Sequence, residues 1–434
     1  MKKRSPTLFI LVSAVAIVLL GLVFTRNLID FPVYYAAGRS LIGGRADLYS
    51  PDFALGPVMD YRYPPFFLIV LYPLWLVPYS AAAYIWFTMS AIEVACIVLI
   101  VIRTFPELRK SKTLVLLVVL AVAQYFVMVL HYGNAHLLVV ALMFGSFYCV
   151  LWKKELAGGL LMGLAITIKV TPVLLLPYFI LKRRWKLLAA LCLFLVALNF
   201  VPSAYFGFRG NNELLANWYR HVVASQEFHE DNGPINLSIK GQLRRYLSAI
   251  DYSQRVDGDI KYPAINVARF SRVQVFGAWA IIAAGLFAGV LLLIWRYPAN
   301  PRGLLPQPDF YRHRLAHEFS LMTCLMLMVG PLTSKIYFIA LLWPVACLAS
   351  FAEIKAREGR VAMRALVGVA FINAVLPLLP GRSIQRLLLV LGVDFYLNCL
   401  VMAVLTFVLV SQARVSLKRS GEPRMRVPSE ARTP

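Results

Sequence analysis

Long apolar runs alternate with short basic or aromatic-rich stretches along almost the whole chain. About 20 apolar residues make a membrane-spanning helix. Thr7–Phe24, Ser80–Ile102, Thr113–Leu130, Leu137–Trp152, Leu187–Ala204, the stretch from Arg272 to Ile294, Leu366–Leu379 and Leu387–Val410 all read as crossings. Pro65–Pro78 is equally apolar but short of a comfortable span, and reads as re-entrant or interfacial. Two longer runs are interrupted. LAGGLLMGLAITIKVTPVLLLPYFILKRRWK breaks at Lys169–Pro172, and Phe319–Ala352 breaks around GPLTSK, with Lys335 at the turn. The first begins and ends beside basic clusters, which predicts two short helices meeting inside the membrane; the second repeats that pattern.

Basic clusters between spans mark the cytoplasmic side. Lys2, Lys3 and Arg4 hold the N-terminus there, which puts Asp30 outside. The full threading predicts an all-α polytopic bundle of about twelve crossings, with both termini cytoplasmic. Residues 1–410 then form one transmembrane domain, with extracytoplasmic loops at 26–65 and 205–271 and a disordered tail at 411–434.

Composition agrees with this class. The chain is 60% hydrophobic and only 15% charged, against roughly 25% charged in soluble domains. Its net charge of +23 would suit nucleic acid, but the basic residues sit in short clusters between apolar runs, where anionic lipid is the partner. Nucleic-acid binding is excluded on that ground. All six cysteines lie inside apolar segments, which argues against a disulfide framework or a zinc site. The apolar stretch after Arg4 lacks a small-x-small cleavage site, so it reads as an uncleaved anchor.

Unusual polar residues collect at the outer face. Asp30 follows the first apolar segment directly, where a helix reaches the interface, and an acid there is a candidate general base. It also suits the N-cap of a helix opening at Phe31–Pro32, and one geometry can serve both roles. Lys169 and Lys335 lie at helix breaks in apolar segments, where an ammonium costs about 2.5–3.5 kcal/mol. A lipid phosphate would offset that cost; snorkelling to the interface is the plain alternative. His131 and His136 are five positions apart and face different ways on a helix, so no metal site is expected. Asp257-Gly-Asp259 matches an acid-x-acid metal motif but lies in a polar loop and reads as a solvated turn. Tyr34 and Tyr35 are candidates for substrate contact or for interface anchors.

The order DFPVYYAAG, LYSP, YRYPPFFLIVLYPLWLVP, YGNAHLLVVAL, GGLLMGLAITIKVTPVLLLPY, NLSIKGQLRRYL and GPLTSKIYF resembles glycosyltransferase family 87. These are integral membrane enzymes of the GT-C fold that take sugar from a polyprenyl phosphate. The resemblance implies Asp30 as catalytic base in an inverting transfer of a hexose such as mannose. It implies Lys169 and Arg245 at the donor phosphate and Asn236 and Ser238 at donor or acceptor; Lys335 is a further candidate for the phosphate, and Tyr34, Tyr35 and His136 for the substrates. The expected partners are a polyprenyl-phosphate sugar, a lipid or glycan acceptor and membrane lipids, with no cofactor and no metal, in a bacterial cytoplasmic membrane. The family often carries Ser-Pro-x-Ser-Trp-x-His-His where this chain has GPLTSKIY; Lys335 is the expected replacement for the missing histidines. A secondary transporter or lipid-linked sugar flippase is the rival class. It predicts inverted repeats with charges at mid-membrane, whereas the two halves of this chain show no repeat and the polar residues gather at one face.

Overall fold

The computed structural model describes residues 19–42, 48–49, 61–224, 235–249, 262–297, 308–354 and 356–421. Helices dominate: α1 Phe31–Ile42, α2 Pro65–Trp75, α3 Tyr79–Thr104, α4 Lys112–Tyr132, α5 His136–Leu151, α6 Glu155–Ile168, α7 Leu176–Leu181 and α8 Trp185–Phe200. There follow α9 Ser203–Trp218, α10 Ile239–Leu247, α11 Arg272–Arg296, α12 Pro308–Val329, α13 Leu342–Ala352, α14 Arg357–Val375, α15 Arg382–Leu391 and α16 Val393–Gly421.

Among the described residues six helices are long and apolar enough to cross a membrane, or seven if α8 and α9, bent by 95°, count as one span. The expected dozen is not confirmed among them: several apolar runs fold as short helices, and most of Thr7–Phe24 lies outside the described residues. The eleven residues of α2 rise only about 16 Å at 1.5 Å per residue, against a hydrocarbon core of roughly 30 Å. Both expected breaks are present. Helix α6 stops at Ile168, Lys169 is extended (φ −148°, ψ 124°), and a 3-10 turn at Thr171–Leu175 leads into α7. Helix α12 stops at Val329, and a 3-10 turn at Lys335–Leu341 leads into α13.

Three expectations change. The 205–271 segment, read as a polar loop, contains most of α9 and all of α10. The span expected from Leu387 divides at Gly392, whose φ of +78° ends α15 before α16 begins. Helix α16 then continues to Gly421, past Ser411, where a disordered tail was expected to begin. The tail beyond 421, residues 43–47 and 50–60 of the 26–65 loop and the Asp257–Asp259 turn lie outside the described residues.

The centre of the bundle is the segment Lys335–Ala352, apolar and buried nearly all round, as a helix without a polar face must be. Trp343 stands in a cluster with Phe105, Phe144, Phe147 and Phe319, the last two rings stacked at 4.2 Å. Its indole N–H donates to the Ala316 carbonyl at 3.0 Å. Helices α6 and α8 touch through small residues: a Cβ at Gly159 would fall 2.3 Å from the Leu187 carbonyl oxygen, the close approach that packing in lipid favours.

One end of the bundle is tied by charge. Glu318, fully buried, accepts from Lys182 at 2.8 Å, Arg314 at 3.2 Å and Tyr178 at 2.9 Å. Nearby Arg184 bonds Glu155 at 2.7 Å and also reaches Tyr311. By the run of α4 to α7 this cluster lies at the end opposite Asp30.

Candidate active site

The site is built on the corner between α4 and α5. Gly133 closes α4 at φ +63°, a left-handed value that favours glycine. Its carbonyl accepts the Trp86 indole N–H at 2.8 Å. The Tyr132 carbonyl accepts the backbone N–H groups of Ile29 at 3.2 Å and Asp30 at 2.8 Å. The strip before α1 is therefore pinned to this corner by its main chain. Helix α1 opens on bonds from the Val33 and Tyr34 N–H groups to the Asp30 carbonyl, while the Asp30 side chain turns to Asn134.

Asn134 sets the local polarity. Its Oδ1 accepts the His136 backbone N–H at 2.8 Å and the Tyr63 hydroxyl at 3.4 Å. That orientation leaves Nδ2 to donate to Asp30 Oδ2 at 2.7 Å. Tyr34 completes the support, donating to the Tyr63 hydroxyl at 2.8 Å and accepting from the Ala135 N–H at 3.4 Å. Burial holds the Asp30 carboxyl above its usual range; the Asn134 bond and the charge of Lys169 pull it partly back.

Lys169 enters from the α6–α7 break and Tyr337 from the turn after α12. The Lys169 ammonium sits 3.6 Å from the centre of the Tyr337 ring, a cation–π contact, and the buried His136 ring stacks on Tyr337 at 4.4 Å. A carboxylate, an ammonium and a group of aromatic rings thus converge from distant parts of the chain. A carboxylate and a cation so placed can accept a proton and steady a developing anion.

The structure gathers Asp30, Tyr34, His136 and Lys169, and gives the remaining candidates partners of their own. Tyr35 donates to the Val77 carbonyl at 2.8 Å, at the α2–α3 corner. Lys335 pairs with Asp394 at 3.6 Å, and Asp394 also accepts the Tyr125 hydroxyl at 2.8 Å. In the GPLTSKIY stretch it is Tyr337, at the last of the expected histidine positions, that reaches Lys169.

Asn236, Ser238 and Arg245 make internal bonds. Asn236 Nδ2 donates to the Pro331 carbonyl at 2.9 Å, and its Oδ1 accepts from the Thr333 and Ser238 N–H groups, each at 3.1 Å. Ser238 caps α10 by accepting the Gly241 N–H. The buried Arg245 donates to the Asn236 carbonyl at 2.6 Å. These residues stitch the start of α10 to the break before α13. Asn134, Tyr63 and Tyr337 were not singled out from the sequence. HYGNAH and YRYPP were visible as polar motifs, but nothing in them shows which atom meets Asp30. Among the described residues no group of three or more His, Cys, Asp or Glu side chains is placed to hold a metal.

The model of glycosyltransferase family 87 matches residues 61–307. A polyprenol-phosphate-mannose-dependent alpha-(1-2)-phosphatidylinositol pentamannoside mannosyltransferase of Mycolicibacterium smegmatis is 26% identical over 391 residues, 83% of this chain and 86% of that protein. The protein of the same description from Mycobacterium tuberculosis is 28% identical over 168 residues, 36% of this chain and 37% of its own. No solved structure matches the chain.

Proposed function

This chain belongs to glycosyltransferase family 87, and on that premise we propose that it moves mannose from a polyprenyl-phosphate donor to a lipid-linked glycan on the outer face of a bacterial cytoplasmic membrane. The mycobacterial relatives are described with that donor and with a mannosylated phosphatidylinositol as acceptor. The observation that carries the reading is the Asp30–Asn134 bond of 2.7 Å beside Lys169, at one end of an apolar bundle.

In this reading Asn134 holds Oδ2 of Asp30, and Oδ1 takes the proton of an acceptor hydroxyl. The hydroxyl oxygen attacks the anomeric carbon from the face opposite the phosphate. The carbon–oxygen bond to the phosphate breaks, and its electron pair leaves with the polyprenyl phosphate. The transfer inverts the anomeric centre and uses no metal. Lys169, steered by the Tyr337 ring, meets the charge gathering on the departing phosphate. Burial of the carboxyl makes it a stronger base than an exposed aspartate.

The test incubates membranes containing the chain with labelled polyprenyl-phosphate mannose and a mannosylated phosphatidylinositol, and identifies the product by mass spectrometry. Label is expected in a glycolipid one mannose larger, and only with Asp30 intact. Label left wholly in the donor overturns the reading.

A further inference from the structure

Asp30 and Lys169 carry opposite charges at one corner of the bundle and do not pair. Each charge acts on the other, yet Nζ stays more than 4.0 Å from both carboxylate oxygens. Elsewhere among the described residues acids and cations inside the bundle close on each other: Lys182 meets Glu318 at 2.8 Å, and Lys335 meets Asp394 at 3.6 Å. Asn134 engages Asp30 Oδ2 at 2.7 Å, while Oδ1 has no hydrogen-bond partner among the described residues. The carboxylate therefore keeps a free oxygen that an ammonium could take.

The Lys169 ammonium is held instead by the face of Tyr337, 3.6 Å from the ring centre. An aromatic face attracts a cation through its quadrupole, and more strongly where water is scarce. That ring is itself fixed. His136 stacks on it at 4.4 Å with the two planes 25° apart, and the His136 backbone N–H is tied to Asn134. The turn that carries Tyr337 is tied as well, Lys335 to Asp394 and Phe338 against Tyr125 at 5.8 Å. A ring so clamped does not follow the ammonium toward the carboxylate.

We propose that Tyr337 is a positioning residue whose ring keeps the Lys169 ammonium off Asp30, so that base and cation stay apart for their separate partners. An ammonium resting on Oδ1 would occupy the oxygen that takes the acceptor proton, and would itself be neutralised before a phosphate arrived. The other titratable groups facing the two are Tyr34 from α1, Tyr63 before α2 and His136 from α5, and the charge of Arg62 reaches Tyr337. The catalytic meaning of the inference rests on the mannosyl transfer proposed above; the separation of the charges is tested without it.

The test uses full-length protein in detergent and follows acetylation of the Lys169 amine by acetic anhydride against pH, read by peptide mass spectrometry. Tyr337→Leu removes the ring, and Tyr337→Phe keeps the face and removes only the hydroxyl. Tyr337→pentafluorophenylalanine keeps the shape and reverses the sign of the face, which covers a Leu variant that fails to fold. With the face gone or reversed, Lys169 should pair with Asp30, and its labelling midpoint should rise by about one pH unit or more, the effect of an opposite charge in contact. Adding Asp30→Asn to either variant should abolish the rise, and Tyr337→Phe should keep the wild-type midpoint. A face that only steadied the ammonium would give the reverse sign, so a midpoint that falls or stays overturns the proposal. A rise shared by Tyr337→Phe, or one that survives Asp30→Asn, overturns it too. A second arm measures mannose transfer. In Tyr337→Leu the acidic limb of kcat/KM should move to lower pH, because a carboxylate paired with an ammonium holds its proton less tightly. A raised midpoint with an unmoved limb would remove Asp30 as the base and leave the ring's role standing. A wild-type chain that transfers no mannose defeats the transferase reading and likewise leaves the labelling result standing.

Discussion

The Asn134 amide donates to Asp30 Oδ2 at 2.7 Å while its own oxygen accepts the His136 backbone N–H at 2.8 Å. One side chain thus joins the carboxylate to the start of α5, and the helix corner fixes which way the amide faces.

If Asp30 is the base, Asp30→Asn should cut turnover by at least about 100-fold, the low end of what general base catalysis supplies. The backbone bonds from Ile29 and Asp30 to Tyr132 survive the change, so the size-exclusion profile should match the wild type. Turnover within a few fold of wild type would remove Asp30 from the chemistry.

Asn134→Ala should move the pH profile. Asp30 works as the carboxylate, so activity falls as pH drops through its pKa, which burial already raises. The Asn134 bond favours the charged form. Without it the pKa rises further, and the acidic limb of kcat/KM moves to higher pH, by about one unit if the bond contributes roughly 1.4 kcal/mol. A lower plateau with an unmoved limb would assign Asn134 to packing alone.

Lys169 separates a phosphate partner from a snorkelling side chain. Lys169→Gln should lower the initial rate at saturating donor at least tenfold, about 1.4 kcal/mol of transition-state stabilisation. Lys169→Arg should retain part of it. Equal rates for Lys, Arg and Gln would place the phosphate elsewhere.

Glu318→Gln tests the far end. Removing the charge leaves Lys182 and Arg314 without their shared buried partner, a loss of about 3–5 kcal/mol for a broken buried pair. The expected outcome is a lower Tm with kcat per folded molecule unchanged. An unaltered Tm would mean the cluster is wet in the membrane.

Sidedness is tested by labelling. Arg209→Cys, at a side chain 94% exposed, should react with an impermeant maleimide on intact cells. Lys110→Cys should react only after permeabilisation. Equal labelling of both would mean that the 65–78 segment crosses.

The membrane class, the two broken segments and the unusual positions of Asp30 and Lys169 were legible because a charge beside or inside an apolar run is conspicuous. Lys335 was conspicuous in the same way, but its partner Asp394 is distant in sequence, and spacing does not show which buried charge is already paired. Asn236 and Ser238 were candidates for the substrates through the family resemblance alone; that resemblance does not show that their bonds go to backbone groups at Pro331, Thr333 and Gly241. Asn134 and Tyr337 escaped notice for a plainer reason. An asparagine in a turn and a tyrosine at an interface are ordinary, and only the meeting of five chain segments gives them a role. The number of crossings is not confirmed, because hydropathy does not distinguish a short helix from half of a long one.

The double main-chain tie of Ile29 and Asp30 to Tyr132 sets which evolutionary changes the carboxylate feels directly. The residue that would do the chemistry is moored by the backbone of another hairpin as well as by the first turn of the helix that follows it. Leu48 and Tyr49, in the stretch after α1, are buried, and the Tyr49 hydroxyl donates to the Tyr63 carbonyl at 2.7 Å, so that stretch meets the carboxylate at one remove, through the residue whose own hydroxyl reaches Asn134.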